Sequence, residues 1–248
     1  MKVIYILWLR QIKRYVRSKS RIVGAIGQPL LFLLALGYGL GSVYKAAGQG
    51  NYLEFLVPGI MAQTVLFSAM FYGAMIVFDR QFGFLKETLV APVSRFKIMI
   101  GGALGGATTA VIQGLLVFVI SLALGFRPHD WLRLPIALLF MIALAVAIAS
   151  FSSGIGSFVE DMQGFQAINQ FLVFPLYFLS GALYPLDHVP TWLRIIAEVN
   201  PISYTVDAMR WAVVGTTKFG LLHDVIALSL TIVVLLVFGA IRFRHIEA

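Results

Sequence analysis

The chain has 248 residues, 60% hydrophobic and 12% charged, with a mean hydropathy of +0.90 and a formal charge of +8. Soluble domains carry about a quarter charged residues, so an ordinary soluble protein is excluded, and 20 Phe, 9 Tyr and 4 Trp exclude a disordered one. The absence of cysteine removes disulfides, thiolate zinc sites and cysteine nucleophiles, and basic residues scattered between apolar runs do not point to nucleic acid.

Residues 1–21 carry seven Lys or Arg, too many over too long a stretch for the start of a secretory signal. At helical spacing Tyr5, Trp8, Leu9, Ile12 and Val16 share one face, and Arg10, Lys13, Arg14 and Arg17 the other, which predicts an amphipathic helix lying in the membrane interface. Six uncharged runs follow, at 22–44, 55–78, 98–126, 134–159, 162–186 and 225–241. A helix crosses the hydrocarbon core with about 20 apolar residues. Five runs exceed that, and the last, of 17, extends outward through Leu221 and Leu222, which places His223 and Asp224 near the interface. The reading is therefore one all-α integral membrane domain, 1–248, with six transmembrane helices. Lys and Arg number 13 on the side of the termini and 6 on the other. Both termini are therefore expected in the cytoplasm of a multi-pass protein of the plasma (inner) membrane.

Several chemistries are missing. No Gly-Lys-Ser/Thr pattern exists, so the chain lacks a P-loop. With no acid inside the runs and the four histidines outside their deep parts, an intramembrane protease or an ion-coupled carrier is disfavoured. Uphill transport by such a chain takes its energy from another subunit.

Two stretches carry more information. The loop between the second and third runs reads Asp79-Arg80-Gln81-Phe82-Gly83-Phe84-Leu85-Lys86-Glu87-Thr88-Leu89-Val90-Ala91-Pro92-Val93-Ser94-Arg95. Charges beside apolar Phe82, Phe84, Leu85 and Leu89 suit a short helix that docks in a groove and is ended by Pro92; a connector lying flat on the bilayer is the other reading of the residues. The second stretch runs Phe174-Pro175-Leu176-Tyr177-Phe178-Leu179-Ser180-Gly181-Ala182-Leu183-Tyr184-Pro185-Leu186, then Val189-Pro190-Thr191-Trp192-Leu193, Asn200-Pro201-Ile202 and Arg210. Together they resemble the type-2 permease family of ATP-binding-cassette exporters, in the branch of daunorubicin-resistance and nodulation-factor export permeases, and the resemblance covers essentially the whole chain.

The resemblance implies a homodimer paired with separate cassette ATPase subunits that hold ATP and Mg, with no cofactor or catalytic site in this chain, exporting a hydrophobic or amphipathic molecule, drug-like or lipid-like. Residues 79–97 match the coupling loop, with Phe82, Gly83, Lys86, Glu87 and Pro92 as contacts. Glu160 and Gln163, in the loop before the fifth run, match a second contact; Glu160 and Asp161 also suit a helix N-terminus as dipole complements. The segment 185–223 corresponds to two short re-entrant outer helices, with Ser180, Gly181, Pro185, Pro190, Trp192, Asn200, Pro201 and Arg210 as gate or structural positions. Asp207 and Arg210, three apart, can pair on one helix face. A cargo path at the dimer interface would be lined by Gln63, Phe67 and Phe71 on the second span and by Phe171, Phe174 and Phe178 on the fifth. Gly101, Gly102, Gly105 and Gly106 set two small-xxx-small pairs that allow close helix contact. The competing functions are export of a lipid-linked polysaccharide and a membrane scaffold that transports nothing.

Overall fold

A computed structural model describes residues 2–46 and 50–246, and every described regular element is helical. The chain opens with α1 (Lys2–Arg17), α2 (Lys19–Gly39), the short α3 (Gly41–Ala46) and α4 (Tyr52–Gln81), then α5 (Phe84–Val90) and α6 (Arg95–Ala123). Helix α1 lies against the first turns of α6, with the Trp8 Nε1–H donating to Thr108 Oγ1 at 3.0 Å and Gln11 and Tyr15 buried. The four glycines of α6 explain this arrangement. A Cβ at Gly101 or Gly105 would meet Ile4, Leu7 and Gln11 of α1, and one at Gly102 or Gly106 would meet Tyr72 of α4. One small pair thus faces each neighbour. In lipid, where the hydrophobic effect does not drive helices together, such close backbone approach is what holds them.

Helix α4 is the centre of the bundle, with 78% of its most apolar window buried. Asn51 caps it, its side chain accepting from the Leu53 N–H at 3.0 Å, and Glu54 adds an acid to the first turn. A 3₁₀ turn, Trp131–Arg133, runs into α7 (Leu134–Phe158). Midway along the α4–α7 contact, Ser152 Oγ donates to the Met70 carbonyl at 2.6 Å and accepts from the Gly73 N–H at 2.8 Å. A side chain at Gly73 would overlap the Ser152 backbone, so this polar crossing requires glycine.

Among the described residues five helices are long and apolar enough to cross a membrane: Ile22–Gly39, Tyr52–Gln81, Arg95–Ala123, Trp131–Phe158 and Leu221–Arg244. The run expected as the fifth span, 162–186, differs from a simple span. It forms α8 (Met162–Ile168), a π-helical turn (Asn169–Val173) and α9 (Phe174–Phe178), and helix stops at Phe178. Pro175 accounts for the π turn: it has no N–H for the carbonyl four residues back and its ring crowds that carbonyl, so the helix widens just before it. Gly181, at φ +72°, then turns the chain. These 17 helical residues span about 25 Å at 1.5 Å each. They nonetheless run along α4 from end to end. Arg80 Nη1 at one end of α4 donates to the Val159 carbonyl at 2.8 Å, and Tyr52 Oη at the other donates to the Leu183 carbonyl at 2.7 Å.

A 3₁₀ turn (Leu186–His188), α10 (Thr191–Val199) and α11 (Pro201–Val214) lead to α12 (Leu221–Arg244), which begins at Leu221 as expected. Asn200 caps α11 by accepting from the Ile202 N–H at 3.0 Å, and Pro201 fits its first position. Helix α11 is buried against α4, α7 and α12, whereas α10 leaves Trp192, Ile195 and Val199 exposed. In the first turn of α12 His223 is exposed, whereas Asp224 is buried by the protein.

Candidate functional site

The termini of α1, α4, α7 and α12 and the start of α6 gather at one end, the basic end. Arg14 Nη1 donates to Asp79 Oδ1 at 3.1 Å, Arg10 lies 3.8 Å from the same carboxylate, and Arg95 Nη1 donates to the Arg244 carbonyl at 2.7 Å. Asp79 is therefore a buried anchor that fastens α1 to the end of α4. Its neighbour Arg80 turns the other way, to the Val159 carbonyl and to the Ser157 carbonyl. Thus the two loops expected to act together, 79–97 and 159–163, are joined by one guanidinium.

Beyond this anchor the chain projects outward. Phe82, 62% exposed, packs its ring at a tilt against that of Phe78, with the centroids 4.4 Å apart. Gly83, at φ +78°, supplies the left-handed turn that starts α5, a conformation costly for any residue with a Cβ. Only Leu85 of α5 is buried; Phe84, Lys86 and Glu87 are exposed, and Pro92 lies exposed in the turn that follows. A cleft of about 640 Å³ separates α5 from α1, lined by Arg10, Lys13, Arg14, Phe84, Glu87 and Thr88. Glu160 and Gln163 are also exposed. Asp161 Oδ1 accepts from the Gly164 N–H at 2.6 Å, so of the two acids there Asp161 is the helix cap and Glu160 is left facing outward.

The expected cargo-path residues divide. Phe67 packs against Phe174 with ring centroids 4.6 Å apart, and Tyr177 and Phe178 complete the cluster. Gln63 is buried with neither side-chain polar atom partnered, and lines a cavity of about 250 Å³ between α2 and α4 together with Gln28, Phe67, Ser68 and Phe71. Phe171 stands apart, 82% exposed. The π turn changes the helical phase between positions 169 and 173, so the three phenylalanines do not form the single stripe expected from their spacing.

The opposite end departs furthest from expectation. Asp207 does not pair with Arg210. Its carboxylate accepts from Thr217 Oγ1 at 2.8 Å, from the Lys218 N–H at 2.8 Å and from the Phe219 N–H at 2.9 Å, pinning the loop that returns to α12. Arg210 instead stacks 3.9 Å from the Phe55 ring centroid and donates from Nη2 to the Gly181 carbonyl at 3.3 Å, with Nε enclosed and unpartnered. Burial pushes its guanidinium down to about 10, against the opposing effect of Asp207, so it stays charged at neutral pH. Ser180, Pro185 and Arg210 thus meet around a cavity of about 200 Å³, with Gly181 held to Arg210 through its carbonyl, whereas Pro190 and Trp192 lie exposed and do not line it. Nothing in the sequence signals the 207–217 contact or the 14–79 pair, which join positions from separate elements.

These features define a helical membrane protein with a packed apolar bundle and one exposed amphipathic helix at its basic end. The sequence description of ABC-2 type transporters matches residues 2–214, and the chain belongs to that family as a membrane permease subunit. Nodulation protein J of Rhizobium leguminosarum bv. trifolii is 27% identical over 232 residues, covering 93% of this chain and 86% of that protein. The inner membrane transport permease YadH of Escherichia coli K12 is 28% identical over 230 residues, covering 87% of each. The ycf38 protein of Cyanophora paradoxa is 28% identical over 253 residues, covering 97% of this chain and 86% of that protein.

Proposed function

We propose that this chain is the membrane subunit of an exporter that moves a hydrophobic or amphipathic molecule outward, works as a homodimer, and is driven by ATP and Mg held on a separate cassette ATPase. The observation that carries the reading is α5. A short helix with one buried residue presents Phe84, Lys86 and Glu87, flanked by Phe82 and Pro92, at the end of the most buried helix of the bundle. Apolar residues left exposed beside charges on a helix of the cytoplasmic loop fit a partner's groove. Arg80 would carry displacement of that helix to Val159, with Glu160 and Gln163 as the second contact. The cargo route is lined by Gln63, Phe67, Phe71, Phe174 and Phe178, aromatic surface with few polar groups, which suits amphipathic molecules. The excess of Lys and Arg on the side of the termini supports cytoplasmic termini in an inner membrane, the location that the name of the Escherichia coli relative carries.

The test is a pull-down of tagged protein from gently solubilised membranes, with an ATPase assay of the eluate. A cassette ATPase should co-purify in near-equal amount, and Glu87→Ala should reduce cargo-stimulated ATP hydrolysis at least tenfold, about 1.4 kcal/mol of coupling, while the dimer stays assembled. Recovery of the chain alone, or full coupling in Glu87→Ala, would overturn the reading.

A further inference from the structure

Helix α1 carries two like-charged pairs on one face, and the chain supplies a counter-ion only to the first. Ile6, Leu9, Arg10, Lys13, Arg14 and Arg17 recur at helical spacing and form one wall of the cleft of about 640 Å³ whose other wall is α5. Arg10 and Arg14 stand four apart, where like charges repel across a single turn. Asp79 answers that repulsion, 3.1 Å from Arg14 and 3.8 Å from Arg10. Lys13 and Arg17 repeat the spacing further along the helix, and both are exposed. Among the described residues no ion pair and no side-chain hydrogen bond includes either of them.

The other carboxylate in the cleft does not fill that place. Glu87, on the α5 wall, forms no ion pair with any of the four cations, and Arg10 reaches α5 only through Thr88 Oγ1 at 3.5 Å. Four cations thus face two carboxylates, one of which, Asp79, is already shared. The cleft has the size of a small-molecule site, for which about 300–1,000 Å³ is usual. Lys13 and Arg17, one turn apart with about 5–6 Å between their Cβ atoms, can both reach a single phosphate.

The surroundings of the cleft select the kind of anion. Through Ile4, Leu7 and Gln11, α1 packs on Gly101 and Gly105 in the first turns of α6, a helix long and apolar enough to cross a membrane. The cleft therefore lies beside the end of a span, where lipid headgroups are. Tyr5, Ile6 and Val16 stay exposed along α1, and apolar side chains beside a row of cations seat a helix at an anionic membrane surface. Ile6, Leu9 and Phe84 line the cleft together with the cations, so it is apolar toward the start of α1 and basic toward its end. A soluble phosphate would use only the basic part, whereas a phospholipid uses both.

We infer that the cleft between α1 and α5 binds the headgroup of an anionic phospholipid, its phosphate bridging Lys13 and Arg17 as Asp79 bridges Arg10 and Arg14, and its glycerol and first methylenes against Ile6, Leu9 and Phe84. The inference needs neither the cargo nor the ATPase of the transport reading. The purified full chain, released from detergent micelles into native mass spectrometry, is titrated with phosphatidylglycerol and phosphatidylcholine of identical acyl chains. One phosphatidylglycerol per chain should bind about tenfold more tightly than phosphatidylcholine, as expected for two basic residues meeting an anionic headgroup. Lys13→Gln with Arg17→Gln should abolish that preference. Lys2→Gln with Lys97→Gln, which removes two charges outside the cleft, should keep it. All four side chains are exposed, so both variants should fold. Equal binding of the two lipids by the native chain overturns the inference without any variant, as does a preference lost equally in both double variants, which would reflect net charge alone. Displacement of the lipid by glycerol phosphate at equal concentration would overturn it by assigning the cleft to a soluble phosphate. A preference that survives Lys13→Gln with Arg17→Gln overturns it too, and if that variant also loses the cassette ATPase in the pull-down, the pair belongs to the partner protein.

Discussion

The two ends of the bundle differ in how many of their charges act within a short stretch of chain. At the basic end, charged side chains join elements far apart in sequence: Arg14 reaches Asp79, Arg80 reaches Val159, and Arg95 reaches the carbonyl of Arg244. At the other end several charges fix shape locally: Asp207 closes a loop ten to twelve residues on, Asp130 meets Arg133, and Arg194 meets Glu198, while Lys218 meets Asp187 and Arg210 reaches the Gly181 carbonyl across longer stretches of chain. The first pattern ties α1, α4, α6 and the loop after α7 together at the end from which the exposed α5 projects. The second holds α11 and its loop rigid over the starts of the spans.

Asp207 gives the largest expected departure from that contrast. Its carboxylate takes hydrogen bonds from one hydroxyl and two backbone N–H groups. Asparagine at this position turns an NH₂ toward donors, so Asp207→Asn should lower stability by about 2–3 kcal/mol, in the range for hydrogen bonds to charged groups, with faster amide exchange at Lys218 and Phe219. Denaturant titration in detergent together with hydrogen exchange reads both; an unchanged loop would mean that the frame does not depend on this clamp. The effect at the basic end should be smaller. The Asp79 side chain is 10% exposed but that of Arg14 is 36% exposed, so a double-mutant cycle of Asp79→Asn and Arg14→Gln should give a coupling of about 1 kcal/mol. The same variants should loosen α1, read as brighter or shifted Trp8 fluorescence once its bond to Thr108 is lost. A coupling near zero would show that glycine packing alone holds α1 to the bundle.

Why these features differ in legibility is physical. Lipid demands long uncharged stretches, so five spans, the start of the last at Leu221 and the two glycine pairs of α6 could be read from sequence. The 162–186 run misled because absence of charge says nothing of backbone geometry: Pro175 and Gly181 end the helix early and the π turn swings Phe171 away from Phe174. Asp207 and Arg210 have the spacing of an ion pair, and only the folded loop shows that the backbone at 218 and 219 competes successfully for the carboxylate. Asp79 read as one charge of an exposed connector, and the connector begins after it. The exposure of Phe82, Phe84, Lys86, Glu87 and Pro92 was legible because a charged segment between two spans must face something polar, whereas a role for them as contacts follows only from the family resemblance.

The Arg194–Glu198 pair marks the lower limit of the contrast. It spans one turn of α10 at 3.0 Å, with its side chains 54% and 45% exposed. Solvent screens both charges, and holding two long side chains in one geometry costs conformational entropy, so the pair should contribute no more than about 0.5 kcal/mol. A double-mutant cycle of Arg194→Gln and Glu198→Gln should return that value at low salt and nothing measurable near 1 M, where the screening length falls to about 3 Å. The Asp207 clamp, buried and made to uncharged donors, should keep its contribution across the same salt range. A large, salt-resistant coupling at Arg194 would mean that α10 is shielded from solvent in the assembled protein. Its exposed Trp192, Ile195 and Val199 would then face a protein surface rather than lipid or water.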